Sequence, residues 1–131
     1  MVQAIRAAQE AYRAEAGTYL DVSSSVTTWY PRAIPDAQLH AWNESGHTDF
    51  ARWQALNPTA PGQGVRMVYV TVAGPPGAPI PALSTNDAIA WPTPTRDWYI
   101  VEARGDVDGD GQFSHYAAGS LTPELYFENT D

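Results

Sequence analysis

Chemistry-bearing side chains gather in one short stretch, Asp106-Val107-Asp108-Gly109-Asp110-Gly111-Gln112, where three carboxylates fall at alternate positions around glycines. Alternate Asp residues curled about a bend aim their oxygens at one point, the donor type that a hard divalent cation prefers. Calcium takes about six to eight oxygens at ~2.3–2.6 Å. Asp106, Asp108 and Asp110, with a backbone carbonyl near Gln112, would supply part of that shell. A dication would also relieve the repulsion among three crowded carboxylates.

The same residues have a plainer use. They follow the first half of an EF-hand loop, but the Glu required at the twelfth position of such a loop is replaced by Ala117. A bound cation would therefore need ligands from elsewhere in the chain or from water. Asp-Gly pairs, moreover, are favoured in tight hairpin turns because both residues tolerate positive φ. Cation site and bare turn both remain open at this level.

No catalytic constellation accompanies the turn. His40, His47 and His115 are scattered, without an i,i+4 pair or a cysteine partner, which disfavours a transition-metal centre. Ser23 to Ser25 lack the glycine-flanked elbow of a serine nucleophile. With no Cys there is neither a thiolate nucleophile nor a disulfide framework. The chain therefore reads as a non-enzyme. Trp29, Tyr30, Trp42, Trp53, Trp91 and Trp98 invite a carbohydrate-binding reading, set against ordinary core packing. Trp53 and Trp98 fall in regular elements and are expected to be buried, and Trp91, in a proline-rich stretch, to be exposed.

Composition bounds the partners. The chain has 131 residues, 44% of them hydrophobic, and a formal net charge of -8. All its basic side chains are Arg, spread from Arg6 to Arg104 without a run. A nucleic-acid backbone is held by clustered basic side chains, so neither nucleic acid nor an acidic membrane surface is an expected partner. No apolar run approaches the roughly 18 residues that span a bilayer.

The elements that must position these residues follow from periodicity. Val2, Ile5, Ala8, Tyr12 and Ala16 recur at spacings of three or four in an Ala-rich stretch that stops at Gly17, predicting one amphipathic helix over 1–17. Arg6 with Glu10, and Glu10 with Arg13, are expected to pair along its outer side. Residues 18–64 are irregular, apart from a short helix near 48–57. That helix is expected to be capped by Thr48 and to carry Phe50, Trp53 and Leu56 on one stripe. Residues 65–131 hold the sheet and a C-terminal loop. Strands are predicted over 65–72, 98–103 and 112–118, with a short fourth over 125–128. Between the first two lies Gly74 to Thr95, too proline-rich for a sheet ladder. The second and third should form an antiparallel hairpin with the acidic turn at its tip. The fold class is therefore α+β, a single domain with the helix packed on a three- to four-stranded antiparallel sheet.

Two motifs in this order resemble type IV pilins and the related pseudopilins. Ala8-Gln9-Glu10-Ala11-Tyr12, then Gly17-Thr18-Tyr19, is similar to the end of the long pilin helix. Asp97-Trp98-Tyr99-Ile100-Val101-Glu102-Ala103-Arg104-Gly105-Asp106, followed by Asp108-Gly109-Asp110-Gly111, resembles the late strand and acidic turn of many pilin-like proteins. The resemblance implies a filament subunit, major or minor. Its partners would be other pilin subunits, together with a surface glycan or protein ligand. It also implies a prepilin leader and an apolar helix half upstream of Met1, the latter the only part to meet a membrane. Localisation would be the cell surface, after anchoring in the inner membrane. Many type IV pilins staple the C-terminal loop with a disulfide, which this cysteine-free chain cannot do. Pseudopilins of type II secretion often use calcium there instead, which would place the protein in the periplasm. Irregular residues of 18–64 and 74–95 become candidate intersubunit surfaces.

Overall fold

The computed structural model of the chain describes residues 1–83 and 91–129, with the side chains at 123–125 and 127–129 outside that description. Part of the predicted 74–95 connection and the chain's last two residues therefore lie outside the described residues. Element order is α1 (Val2–Ala16), α2 (Phe50–Leu56), β1 (Val68–Gly74), β2 (Trp98–Gly105), β3 (Ser114–Gly119) and β4 (Thr122–Asn129).

Helix α1 ends as its sequence predicts. Gly17 adopts a φ of 84° and donates its N–H to the Arg13 carbonyl at 2.8 Å, the left-handed cap that a Cβ would oppose. The buried stripe is narrower than the apolar pattern. Ile5 is fully buried, Val2, Ala8 and Tyr12 are partly covered, and Ala16 is exposed. A polar residue shares the centre: Gln9 is also fully buried. Its Oε1 accepts the Leu20 N–H at 2.9 Å, while its Nε2 donates to the Leu20 carbonyl at 2.9 Å and to Thr71 Oγ1 at 3.1 Å. The expected pairs along the outer side do not form. Arg13 instead forks onto Asp97 at 2.7 and 3.1 Å, and Glu10 accepts the Tyr19 hydroxyl at 2.9 Å. Arg13 holds the Asp97 carboxyl below the ordinary carboxylate range. A long-range bidentate partner outcompetes a helix-surface pair because the guanidinium fork matches a carboxylate edge.

Strand order is β1-β2-β3-β4, each strand antiparallel to its neighbour. The α+β class, with an N-terminal helix on an antiparallel sheet, is thus seen directly. The first strand begins later than predicted, because Val65 makes an isolated bridge to His40 instead of entering the ladder. Alternation sorts the two faces: Tyr69, Tyr99, Val101 and Ala103 pack with Ile5 under α1, while Val68, Val70, Val72 and Ile100 face away. Both faces are buried. Trp29 covers Val68 and Val70, and Val26, Ala78, Ile80, Leu83 and Trp91 close over Val72, Trp98 and Ile100. Much of the irregular chain therefore serves as the second layer of the core, which restricts the surfaces it leaves free.

Helix α2 starts one residue later than its sequence suggests, with Asp49 and not Thr48 at the cap position. Asp49 is fully buried, where it accepts the Ser24 N–H at 3.0 Å and bonds to the Ser24 hydroxyl and to Arg52. Burial alone would raise its pKa, but these donors outweigh burial and hold it below the usual range.

Gln9→Leu keeps the side-chain volume yet removes all three bonds, leaving the Leu20 N–H and carbonyl without partners. The expected cost is about 2–4 kcal/mol, read as a lower urea midpoint at unchanged m. An unaltered midpoint would show that the amide does not tie the helix down.

Candidate metal centre

The acidic turn joins β2 to β3, whose last ladder pair is Gly105 with Ser114. Asp106, just beyond the ladder, is 5% exposed, while Asp108 and Asp110 are exposed. Asp106 organises the loop: Oδ1 accepts the Asp110 N–H at 3.1 Å and Oδ2 the Gly111 N–H at 2.9 Å. Asp108 Oδ1 also takes the Asp110 N–H at 3.1 Å, and Asp110 Oδ1 takes the Gln112 N–H at 2.9 Å. These bonds curl the backbone inward, a path opened by Gly109 and Gly111 at φ 76° and 83°.

Each of the three Asp residues thereby places a carboxylate oxygen within 4.8 Å of the others. That spacing suits three ligands around one hard cation. Gln112 joins the arrangement through its backbone N–H, a donor, and it lies outside β3, which begins at Ser114 and not at 112. Ala117, at the position where an EF-hand needs its Glu, is buried in β3 opposite Glu102 and brings no oxygen side chain to the turn. Among the described residues, no other carboxylate or imidazole extends this cluster. Water would have to complete a cation's shell.

The histidines stay apart. His40 meets Asp36 at 2.8 Å, His47 bonds the Trp29 carbonyl at 2.7 Å, and His115 lies 3.4 Å from Glu102 in the core. Two of the three candidate serines fasten the fold: Ser23 Oγ accepts the Thr71 N–H at 3.0 Å and Ser24 holds Asp49. Trp53 and Trp98 are buried as expected, at 1% and 3% exposed. Trp91 is not the exposed platform that its proline-rich setting suggested. It is half-buried against the Val72, Trp98 and Ile100 cluster and stands edge-on to Tyr126 at 5.6 Å, because the reverse face of the sheet needs a cover.

Sequence reasoning missed the burial of Glu102 beside His115, and an uncharged cleft beside Trp42. Strand position alone marks Glu102 as buried, for it alternates with Val101 and Ala103 in a strand covered on both sides. The cleft has only a weak signal, the charge-free run from Gln54 to Gly64. No family model, curated protein or solved structure matches this chain. Among the described residues no helix is long and apolar enough to cross a membrane.

The hydrogen bonds rank the three Asp residues before any cation is considered. In chelator, Asp106→Ala is expected to cost about 1–3 kcal/mol, because it removes a buried carboxylate that accepts two charge-assisted bonds and leaves the Gly111 N–H without its acceptor, whereas the Asp110 N–H keeps Asp108. Asp108→Ala and Asp110→Ala, both at exposed positions, should each cost under about 1 kcal/mol. Urea unfolding of the three variants checks this order.

Proposed function

We propose that this chain is the head of a type IV pilin-like filament subunit, working through packing against copies of itself and related subunits at the cell surface. The observation that carries the reading is the helix on its sheet: α1, seated by Ile5 and Gln9, lies across β2 and β3 and ends at Gly17. The two motifs that resemble pilins fall on that helix and on the β2–β3 hairpin, the elements that meet in the core. Supporting it, α1 keeps Ala7, Ala11 and Ala14 exposed on its outward side, at spacings of four and three. Small side chains there let a neighbouring element approach closely, as a head-to-side assembly of unlike faces requires. In this reading the membrane is met by a helix half preceding Met1, and glycans or proteins by the exposed loops.

The second reading is a pseudopilin of type II secretion, and the acidic turn favours it, since three carboxylates converge where a disulfide is lacking. Calcium bound there would replace self-repulsion by shared coordination and hold the β2–β3 hairpin closed.

Gold-labelled antibody against the head, applied to cells carrying the full gene, should decorate surface filaments that vanish on deletion. Ala11→Arg should abolish the filaments while leaving the isolated head folded. Label confined to the periplasm would favour the second reading, and an absence of any filament would remove both. Millimolar calcium should raise the thermal midpoint of the head by about 5 °C over chelator. The gain should be lost in the Asp108→Ala, Asp110→Ala double variant. Equal midpoints with and without calcium would leave only a turn.

A further inference from the structure

Between α1 and the sheet, the irregular connection folds into a clamp with a cleft of about 930 Å³. His40 and Val65 exchange backbone bonds of 2.8 Å in both directions and so close its base. Asn57, at φ 55°, turns the chain sharply out of α2. Gly64, at φ 104°, lets the return path pass His40, where a Cβ would stand 2.5 Å from the carbonyl oxygen. The floor is aromatic: Tyr30 and Trp53 stack at 5.2 Å, and Trp42 stands edge-on to both at 4.9 and 5.2 Å. The Tyr30 hydroxyl donates to the Trp42 carbonyl and accepts the Glu44 N–H at 3.1 Å, which fixes this wall of the cleft.

The lining has an unusual chemistry for a chain of net charge -8, since no charged side chain borders the cleft. Amides take their place. Asn43, Gln54, Asn57 and Gln63 are exposed at its edge, and none of their side chains hydrogen-bonds a described residue. The buried indole N–H of Trp53 also lacks an acceptor among the described residues. Trp42 is only half-buried.

This combination selects among ligands. An ionised ligand would lose hydration without meeting a countercharge, and a wholly apolar one would cover amides that it cannot pair. Each carboxamide offers two donors and an acceptor, a match for neighbouring hydroxyls that both donate and accept. An aromatic ring with adjacent polar groups suits a ligand with a C–H face and a hydroxyl rim. We propose that the cleft binds a neutral glycan, with Trp42 as its stacking ring and Asn43, Gln54, Asn57 and Gln63 reading its hydroxyls. The proposal stands on this lining and does not depend on filament assembly.

The test titrates the whole chain with maltotetraose, cellotetraose, mannotriose and N-acetyllactosamine while following side-chain amide and indole signals by ¹H–¹⁵N NMR. At least one sugar should give saturable shifts confined to the four amides and the Trp42 and Trp53 indoles. Gln54→Ala and Gln63→Ala, both at exposed positions, should each weaken binding by about tenfold at an unchanged thermal midpoint. A sulfated oligosaccharide should not bind. Overturning results are the absence of shifts with all four sugars at millimolar concentration, shifts centred elsewhere, or an uncharged peptide filling the cleft where sugars do not. Sugar binding by a chain that forms no filaments would leave this site standing and remove only the filament reading.

Discussion

One buried carboxamide joins the three parts of this fold. Gln9 reaches from α1 to both backbone groups of Leu20, and to the Thr71 hydroxyl, which donates in turn to the Ile100 carbonyl at 2.9 Å. Helix, connection, β1 and β2 are thus linked by consecutive bonds at a fully buried position. An apolar residue there would fill the same space without fixing how far the helix slides along the sheet. Hydrogen bonds have direction, and a buried donor or acceptor left unpaired costs about 1–3 kcal/mol, so the pairing selects one seating of the helix. The Tyr19 ring, edge-on to Tyr99 at 4.8 Å, packs beside that seating.

The opposite face poses a different problem. Four strands with one helix leave a sheet half uncovered, and here irregular chain does the covering. Arginine fastens it. Arg104 lies 4.4 Å over the Trp29 ring and donates to the Ala33 carbonyl at 2.8 Å, while Arg66 donates to the Ala37 carbonyl at 2.6 Å. Arg52 reaches the Val22 carbonyl and Asp49. Arg32 pairs with Asp36 at 3.6 Å, and Arg13 holds Asp97 beside the entry to β2. A planar fork of five donors can satisfy several loop carbonyls at once, which the single ammonium of lysine does less well. An all-arginine basic complement is consistent with this use of cations as internal fasteners.

How much of this could be read from the residues depends on the range of each interaction. Helix α1 was legible because propensity, periodicity and the Gly17 stop lie within one short window. The β2–β3 hairpin was legible for the same reason, and so was the gathering of Asp106, Asp108 and Asp110, whose bonds span two to five residues. Gln9 was not, since its Thr71 partner lies 62 residues away and a polar side chain on an apolar stripe reads as an interruption. The Arg13 pairing spans 84 residues, and helix-surface rules pointed to Glu10 instead. Trp91 failed for a related reason: proline-rich flanks describe the local backbone, whereas burial was decided by a sheet face that only the assembled fold reveals.

The cleft follows from the same choice of cover. Regular helices laid on a sheet interlock by ridges and grooves and leave few gaps, because their side chains repeat. Irregular chain has no such repeat, and where it turns back on itself between His40 and Val65 its two arms diverge. The aromatic side chains beneath are already committed to the core, so the arms stand on a rigid floor. Amides at the rim cost little in stability because they remain in water, and they stay unpaired within the chain for the same reason. A polar, uncharged opening over fixed rings is therefore the consequence of closing a sheet with loops held by arginines, and the absence of charge at that opening is what distinguishes it from the acidic turn that follows β2.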